Sequence, residues 1–160
     1  MNYALIRDRI YTLLSNVQGI GKVYNFPRYS ADWKTYLDRF KVKVNDKAII
    51  SVVFFSRYAS QEQESPLGGR SENSELTSVD RIETWNITLI YGYDDDEEQP
   101  SEYDFQELLD RIQEKFRFED FLGMSGTVTK SWPIQVVSSG LFMFGDVLCH
   151  RADMTLKLQQ

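Results

Sequence analysis

The sequence has one cysteine, Cys149, and one histidine, His150, in 160 residues. A lone cysteine excludes an intramolecular disulfide, so a reducing compartment is expected. One cysteine and one histidine also fall short of the ligand set of a structural zinc site, and neither a metal nor a cofactor is expected. Positive charge is scarce: 18 Lys plus Arg stand against 24 Asp plus Glu, a net charge of -6. Such a chain gains little from counterion release on nucleic acid and is not drawn to an anionic membrane. The N-terminal segment 1–8 carries charges where a signal peptide has its apolar stretch, and no apolar run is long enough to span a bilayer. The expectation is a protein made and kept in a cytoplasm. A phosphate-binding loop is missing as well, since Gly19-Ile20-Gly21 follows a helical pattern and no Gly-Lys-Ser/Thr occurs.

What is present is enough apolar material for a core. Hydrophobic residues make up 42% and aromatic residues 14%, which argues for one folded domain over 1–160 without repeats or a linker. Ile6, Ile10, Leu13, Leu14 and Val17 recur at helical spacing and predict a helix over 2–17, stopped by Gly19-Ile20-Gly21. A short strand is predicted over 22–26, ended by Pro27. A second helix is predicted over 30–40, with Ser30 as N-cap and Trp33, Tyr36, Leu37 and Phe40 on one face. Asn45-Asp46 reads as a turn, and 48–56 as a strand apolar on both faces.

The stretch 58–79 changes to Ser, Glu, Gln, Asn, Pro66 and the Gly68-Gly69 pair, and predicts an extended loop of a long hairpin at about 58–80. Trp85, Ile87, Leu89 and Tyr91 then alternate through a strand over 81–93. An acidic loop, Asp94 to Glu98, leads into a third helix that opens with Ser101 and Asp104 in a capping-box-like pattern. Its stripe is Phe105, Leu108, Leu109, Ile112 and Phe116. After a break at 123–126, strands are predicted over 132–138, over 141–144 past a bend at Gly140, and over 147–158. In the last, Leu148, Ala152, Met154, Leu156 and Leu158 are expected to face inward. The fold class expected is α/β (α+β): a mixed, mainly antiparallel sheet flanked by about three helices, with a long hairpin loop.

Candidates for chemistry are few. Cys149-His150 offers a thiol beside a base, but neighbours on a strand point to opposite faces, which argues against a dyad. His150 is expected in the apolar register with one hydrogen bond in or beside the core. The run Asp94-Asp95-Asp96-Glu97-Glu98 lacks the spacing and central glycine of a calcium loop and reads as a solvated loop able to meet a basic patch on a neighbouring subunit. The aromatics Phe54, Phe55, Trp85, Tyr91, Phe142 and Phe144 lack interleaved basic residues and read as core or interface. No catalytic residue is assigned. Ile49, Val53 and Phe55 alternate with Ile50, Val52 and Phe54, and Leu141 and Met143 with Phe142 and Phe144. Such two-sided strands are either covered on both faces or cover a partner. The candidate protein-interface residues are Arg57, Tyr58, Glu62, Glu64, Arg70, Glu72, Asp94, Asp95, Asp96, Phe142 and Phe144.

The element order, with Val17-Gln18-Gly19-Ile20-Gly21-Lys22-Val23-Tyr24, the aromatic second helix, Phe105-Gln106-Glu107-Leu108-Leu109-Asp110, and the ending Phe144-Gly145-Asp146-Val147-Leu148-Cys149-His150-Arg151-Ala152, resembles the tail terminator (tail completion) proteins of tailed bacteriophages. The resemblance runs over nearly the whole chain and lies in element order rather than in one diagnostic motif. It implies an α/β fold and a structural, non-enzymatic virion protein of the tail or neck, assembled in the host cytoplasm. It implies a hexameric ring that caps the tail tube, stops its polymerisation and forms the surface that the head connector joins. The partners implied are the chain itself, the tail tube protein, a head–tail connector or neck protein and, in a contractile tail, the sheath. DNA only passes through the lumen. The alternatives are another tube, neck or connector subunit, an acidic inhibitor or DNA mimic that binds a host protein, and an enzyme, which loss of function in a folded, assembled Cys149→Ala variant would favour.

Overall fold

The computed structural model describes residues 2–28, 33–44, 46–66 and 77–160, without the side chains of Trp33, Tyr36, Glu64, Ser65, Pro66, Thr77, Ser78 and Phe121. Ser30, Asn45, Gly68-Gly69, Arg70 and Glu72 lie outside the described residues, as do the side chains of Trp33, Tyr36 and Glu64. The elements are α1 (Tyr3–Ser15), β1 (Lys22–Tyr24), α2 (Trp33–Asp38), β2 (Lys41–Val44), β3 (Lys47–Pro66), β4 (Thr77–Gly92), α3 (Ser101–Arg117), a 3-10 turn (Asp120–Gly123), β5 (Lys130–Ser131), β6 (Gln135–Phe144) and β7 (Val147–Gln159). The seven strands form one mixed sheet in the order β1-β3-β4-β7-β5, with β2 also on β3 and β6 also on β7. Among the described strands only β1 on β3 is parallel. The fold is α+β, as the pattern of helical and alternating segments predicts.

One face of the sheet is covered by α1 and α3. Ile6, Ile10, Leu13 and Leu14 of α1, and Phe105, Leu108, Leu109, Ile112 and Phe116 of α3, pack on Val53, Phe55, Trp85, Ile87, Leu89, Met154, Leu156 and Leu158. Burying each such side chain is worth about 1.5–3 kcal/mol. The opposite face carries a smaller core around Phe40, with Leu37, Ile50, Val52, Ile90, Phe144 and Cys149. Phe40 meets Tyr24 and Phe54 edge-on at 5.6 and 5.3 Å. The two-sided apolarity of 48–56 is therefore satisfied inside the chain, because β3 separates the two cores.

The hairpin differs from the expected loop. Pairing of β3 with β4 continues past the core from Ala59↔Thr84 to Pro66↔Thr77. The last β7 partner is Ile82↔Gln159, and Arg81 still exchanges backbone hydrogen bonds with Gln160, so pairs from Gln63↔Asp80 outward form a ribbon with no third described strand. Its polar composition fits the exposure of Gln63 and Val79 within it, and of Gln61 and Glu62 beside it. It satisfies backbone groups by pairing, where a loop would leave them to water. Tyr58 is the extra residue of a bulge between Arg57 and Ala59 and is 74% exposed. Strand β2 carries little periodic signal in Lys-Val-Lys-Val and owes its pairing to β3. The strand expected over 132–138 begins at Gln135, with Val137 unpaired at a second bulge, and continues straight through Gly140.

Gly21 is needed for close approach: a Cβ there would fall on the carbonyl oxygen of Ser51 in β3, which β1 flanks. Gly21→Ala is expected to cost about 1–3 kcal/mol by overpacking, read as a lowered midpoint in urea unfolding with unchanged slope.

Candidate interaction surface

The open border of the sheet is β6. No described strand pairs with its outer side, and its side chains divide by face. Phe144 is buried against Phe40 at 5.8 Å, and Phe142 packs on Phe144 with Arg151 stacked over it. Leu141 and Met143 point to the other face and stay 55% and 57% exposed; opposite Met143, Leu148 is 37% exposed. Leu148 thus departs from the inward position expected of it, because it lies one residue into β7 on this uncovered corner. An unpaired strand edge with adjacent apolar side chains is a docking template.

Beside this border runs the acidic loop. Tyr93, Asp94, Asp95, Asp96, Glu97, Glu102, Leu141 and His150 line one cleft of about 280 Å³. The loop is shaped by its own carboxylates. Asp94 Oδ1 accepts the N–H of Asp96 at 3.2 Å, and Asp96 Oδ1 accepts those of Glu98 and Gln99 at 2.9 and 3.2 Å. The two backbone N–H groups from Gln99 and Glu98 hold the Asp96 carboxyl below the usual range. Lys47 reaches Asp94 Oδ2 at 3.4 Å.

The loop is latched to α3 and β7 by Ser101. This residue is the first of the helix, after Pro100 in extended geometry, and its hydroxyl does not cap the helix as the capping-box pattern predicts. Its Oγ accepts the N–H of Asp94 at 2.7 Å, lies 2.9 Å from the Asp94 carbonyl and 2.8 Å from His150 Nε2. His150 Nδ1 lies 3.1 Å from Glu102 Oε2, and the ring stacks on Phe105 at 4.8 Å. The Glu102 carboxylate favours a ring proton at Nδ1, so Nε2 faces Ser101 as a second acceptor that shares the single hydroxyl proton with the Asp94 carbonyl.

Serine, histidine and glutamate at these distances are the ingredients of a nucleophile, its base and an orienting acid. The surroundings oppose that use. Ser101 is only 5% exposed and its hydroxyl already bonds the Asp94 backbone, and the adjoining cleft is lined by carboxylates, which disfavour a developing oxyanion. Cys149 and His150 diverge as strand alternation predicts, Cys149 into the Phe40 core and His150 towards α3. Burial pushes the Cys149 thiol up to about 11, so it is not a thiolate at neutral pH. A groove on the Phe40 side is lined by Arg28, Phe54, Thr88, Phe142 and Arg151, and there Arg151 is held by Asp153 at 3.0 Å. Among the described residues no group of three or more His, Cys, Asp or Glu is placed to hold a metal ion, and no helix is long and apolar enough to cross a membrane.

Burial lowers the proton affinity of His150, with Glu102 acting the other way. The unfolded chain then takes up the proton first. The stability linked to this residue is complete above the ordinary histidine value of 6.5 and is lost as pH falls below it. The melting temperature is expected to decline from pH 7 to pH 5.5, and His150→Gln to flatten that part of the profile.

The candidate interface residues fall into separate places. Asp94, Asp95 and Asp96 share the cleft with Leu141. Arg57, Tyr58 and Glu62 lie at the opposite end of β3, on or next to the ribbon. There Glu62 pairs with Arg81 at 2.9 Å, and Arg57 turns inward to the buried Glu83 at 3.1 Å. Phe144 and Arg57 therefore serve the chain's own packing. Leu141, Met143 and Leu148 form the exposed apolar group at the β6 border; the two-sided pattern of 141–144 signals the first two in the sequence, and nothing there signals Leu148.

No protein-family model matches the chain, and no curated protein matches it.

Proposed function

We propose that this chain is a structural subunit that works by docking onto other protein subunits, as a phage tail terminator: a ring that caps the tail tube, stops its growth and offers the joining surface to the head connector. The observation that carries the docking reading is the open outer edge of β6, with Leu141 and Met143 more than half exposed beside it. Surfaces of this kind are costly to leave wet, and proteins that keep them generally cover them with a partner. The tail-specific part of the reading rests on the resemblance in element order and in the ending from Phe144 to Ala152. No catalytic step is part of it, and DNA meets the ring only in passage. A net charge of -6 suits a lumen that does not retain DNA. Partners are further copies of the chain, the tube protein, the connector or neck protein and, in a contractile tail, the sheath.

The test is to add the purified protein to tail tubes that are still polymerising. Caps at one tube end in negative-stain images, with tube growth halted, are the expected result. Filaments of the chain itself point to a tube or neck subunit. Failure to touch tubes, together with displacement of DNA from a host protein, points to an acidic mimic.

A further inference from the structure

A cavity of about 120 Å³ opens between the start of β3, the end of β4, the acidic loop and the first turn of α3. Val44 and Ile49 give it an apolar side, and Asp94, Asp96 and Asp104 bring three carboxylates to it. One cation is already there: Lys47 pairs with Asp94 Oδ2 at 3.4 Å, and its side chain stays 67% exposed. Nearby Lys41 is held by Asp38 at 2.8 Å. Three carboxylates therefore face one ammonium. Asp96 Oδ1 accepts the N–H groups of Glu98 and Gln99, and Asp104 Oδ1 accepts the Gln99 side chain at 3.5 Å; the Oδ2 atoms of both accept no hydrogen bond among the described residues.

An unpaired hydroxyl meets the same cavity. Tyr91 is 5% exposed, its ring belongs to the main core, and it lines the cavity together with Asp104. Its hydroxyl makes no hydrogen bond among the described residues. Burial first, and the Asp104 carboxylate second, raise its proton affinity above that of an ordinary tyrosine. A nearly buried hydroxyl without a partner is costly to the fold, so it calls for a polar group from outside.

We propose that the cavity receives the guanidinium of an arginine side chain carried by a docking subunit, bound by the free carboxylate oxygens of Asp96 and Asp104 and by the Tyr91 hydroxyl. The inference rests on the docking reading above and names one anchor of that contact. A bare metal ion fits less well, because no three carboxylates of the described residues converge closely enough to hold one. A planar guanidinium spans separated acceptors with five donors, where the compact Lys47 ammonium reaches Asp94. The apolar side formed by Val44 and Ile49 suits the methylene stem behind the charge. Lys47 gives up its place as the guanidinium enters.

Titration of the full chain with ethylguanidinium, followed by amide NMR, tests the cavity. Saturable shifts at Tyr91, Asp96, Gln99 and Asp104 are expected, with a dissociation constant on the order of millimolar. Ethylurea, similar in shape and uncharged, is expected to leave them unmoved. Tyr91→Phe is expected to weaken binding roughly tenfold without lowering the melting temperature, because the hydroxyl it removes holds nothing in the fold. Lys47→Gln is expected to tighten binding by removing the resident cation. Shifts that do not saturate, equal binding of ethylurea, or full affinity in Tyr91→Phe would overturn the site. The occupant is tested on growing tail tubes, where Tyr91→Phe is expected to need roughly tenfold more protein to halt growth. Halting growth at the parent's concentration, although the probe no longer binds, overturns the arginine of a docking subunit and leaves docking itself standing. A parent chain that binds the probe but no tube keeps the cavity and overturns the tail reading instead.

Discussion

Arg57→Ala is expected to destabilise the chain by about 3 kcal/mol, a fall of roughly 6–12 °C in melting temperature for a domain of this length. Glu83 is 1% exposed, and its carboxylate has two partners, Arg57 Nη1 at 3.1 Å and Trp85 Nε1 at 3.1 Å. Trp85 lies at the centre of the main core, and Tyr3 stacks on it at 5.5 Å with the rings within 9° of parallel. The Arg57 guanidinium lies over the outer side of that assembly, 4.5 Å from the Tyr3 ring. Removing the arginine strips cover from Tyr3 and leaves a carboxylate in the sheet interior without its cation, and the second loss dominates. Glu83→Gln in the same chain removes the charge but keeps an acceptor for the indole N–H, so it is expected to recover at least half of the loss. Thermal and urea unfolding of the three proteins checks this; a single-variant loss below about 1 kcal/mol would contradict the role assigned to Arg57.

Leu141→Asp is expected to do the reverse, leaving the fold intact and abolishing assembly. At 55% exposure the side chain contributes little to the folded monomer, and a surface change of this kind costs about 0.5 kcal/mol or less. At a docked edge the same change buries a charge beside the carboxylates of the acidic loop. Losing a central apolar anchor costs about 2 kcal/mol or more, roughly 30-fold in affinity at each joint. A ring compounds that loss over all its joints. Light scattering after gel filtration is expected to show monomer at concentrations where the parent chain is assembled, with unchanged circular dichroism. Leu5→Asp on α1, equally exposed at 58%, serves as the control and is expected to change neither.

The helices and central strands were legible because burial on one or both faces imposes a period. The stripes of α1 and α3 coincide with their buried residues, and Trp85, Ile87, Leu89 and Tyr91 face the core as alternation predicts. Polar ribbon and edge strands carry no such signal. Glu62 to Pro66 reads as loop because its residues are polar or proline and carry no apolar alternation, and Lys41–Val44 is too short for alternation to stand out. The latch was only half visible. His150 in an apolar register requires a partner, but Ser101 lies 49 residues away in sequence and its pattern suggests a cap instead. Arg57 reads in the sequence as a candidate interface residue because the bulge at Tyr58, which sets the register around it, leaves no mark there. Leu141 and Met143 were legible as surplus apolar residues, and the structure separates them from Phe142 and Phe144, which the Phe40 core absorbs.

The claim that everything else depends on is that the β6 edge is covered by another subunit when the protein works. Native mass spectrometry of the purified chain across a range of concentrations addresses it most directly. The account predicts a closed homo-oligomer, with six copies as the resemblance implies, that gives way to monomer on Leu141→Asp. A parent chain that remains monomeric at every concentration, or an oligomer indifferent to that substitution, would contradict it.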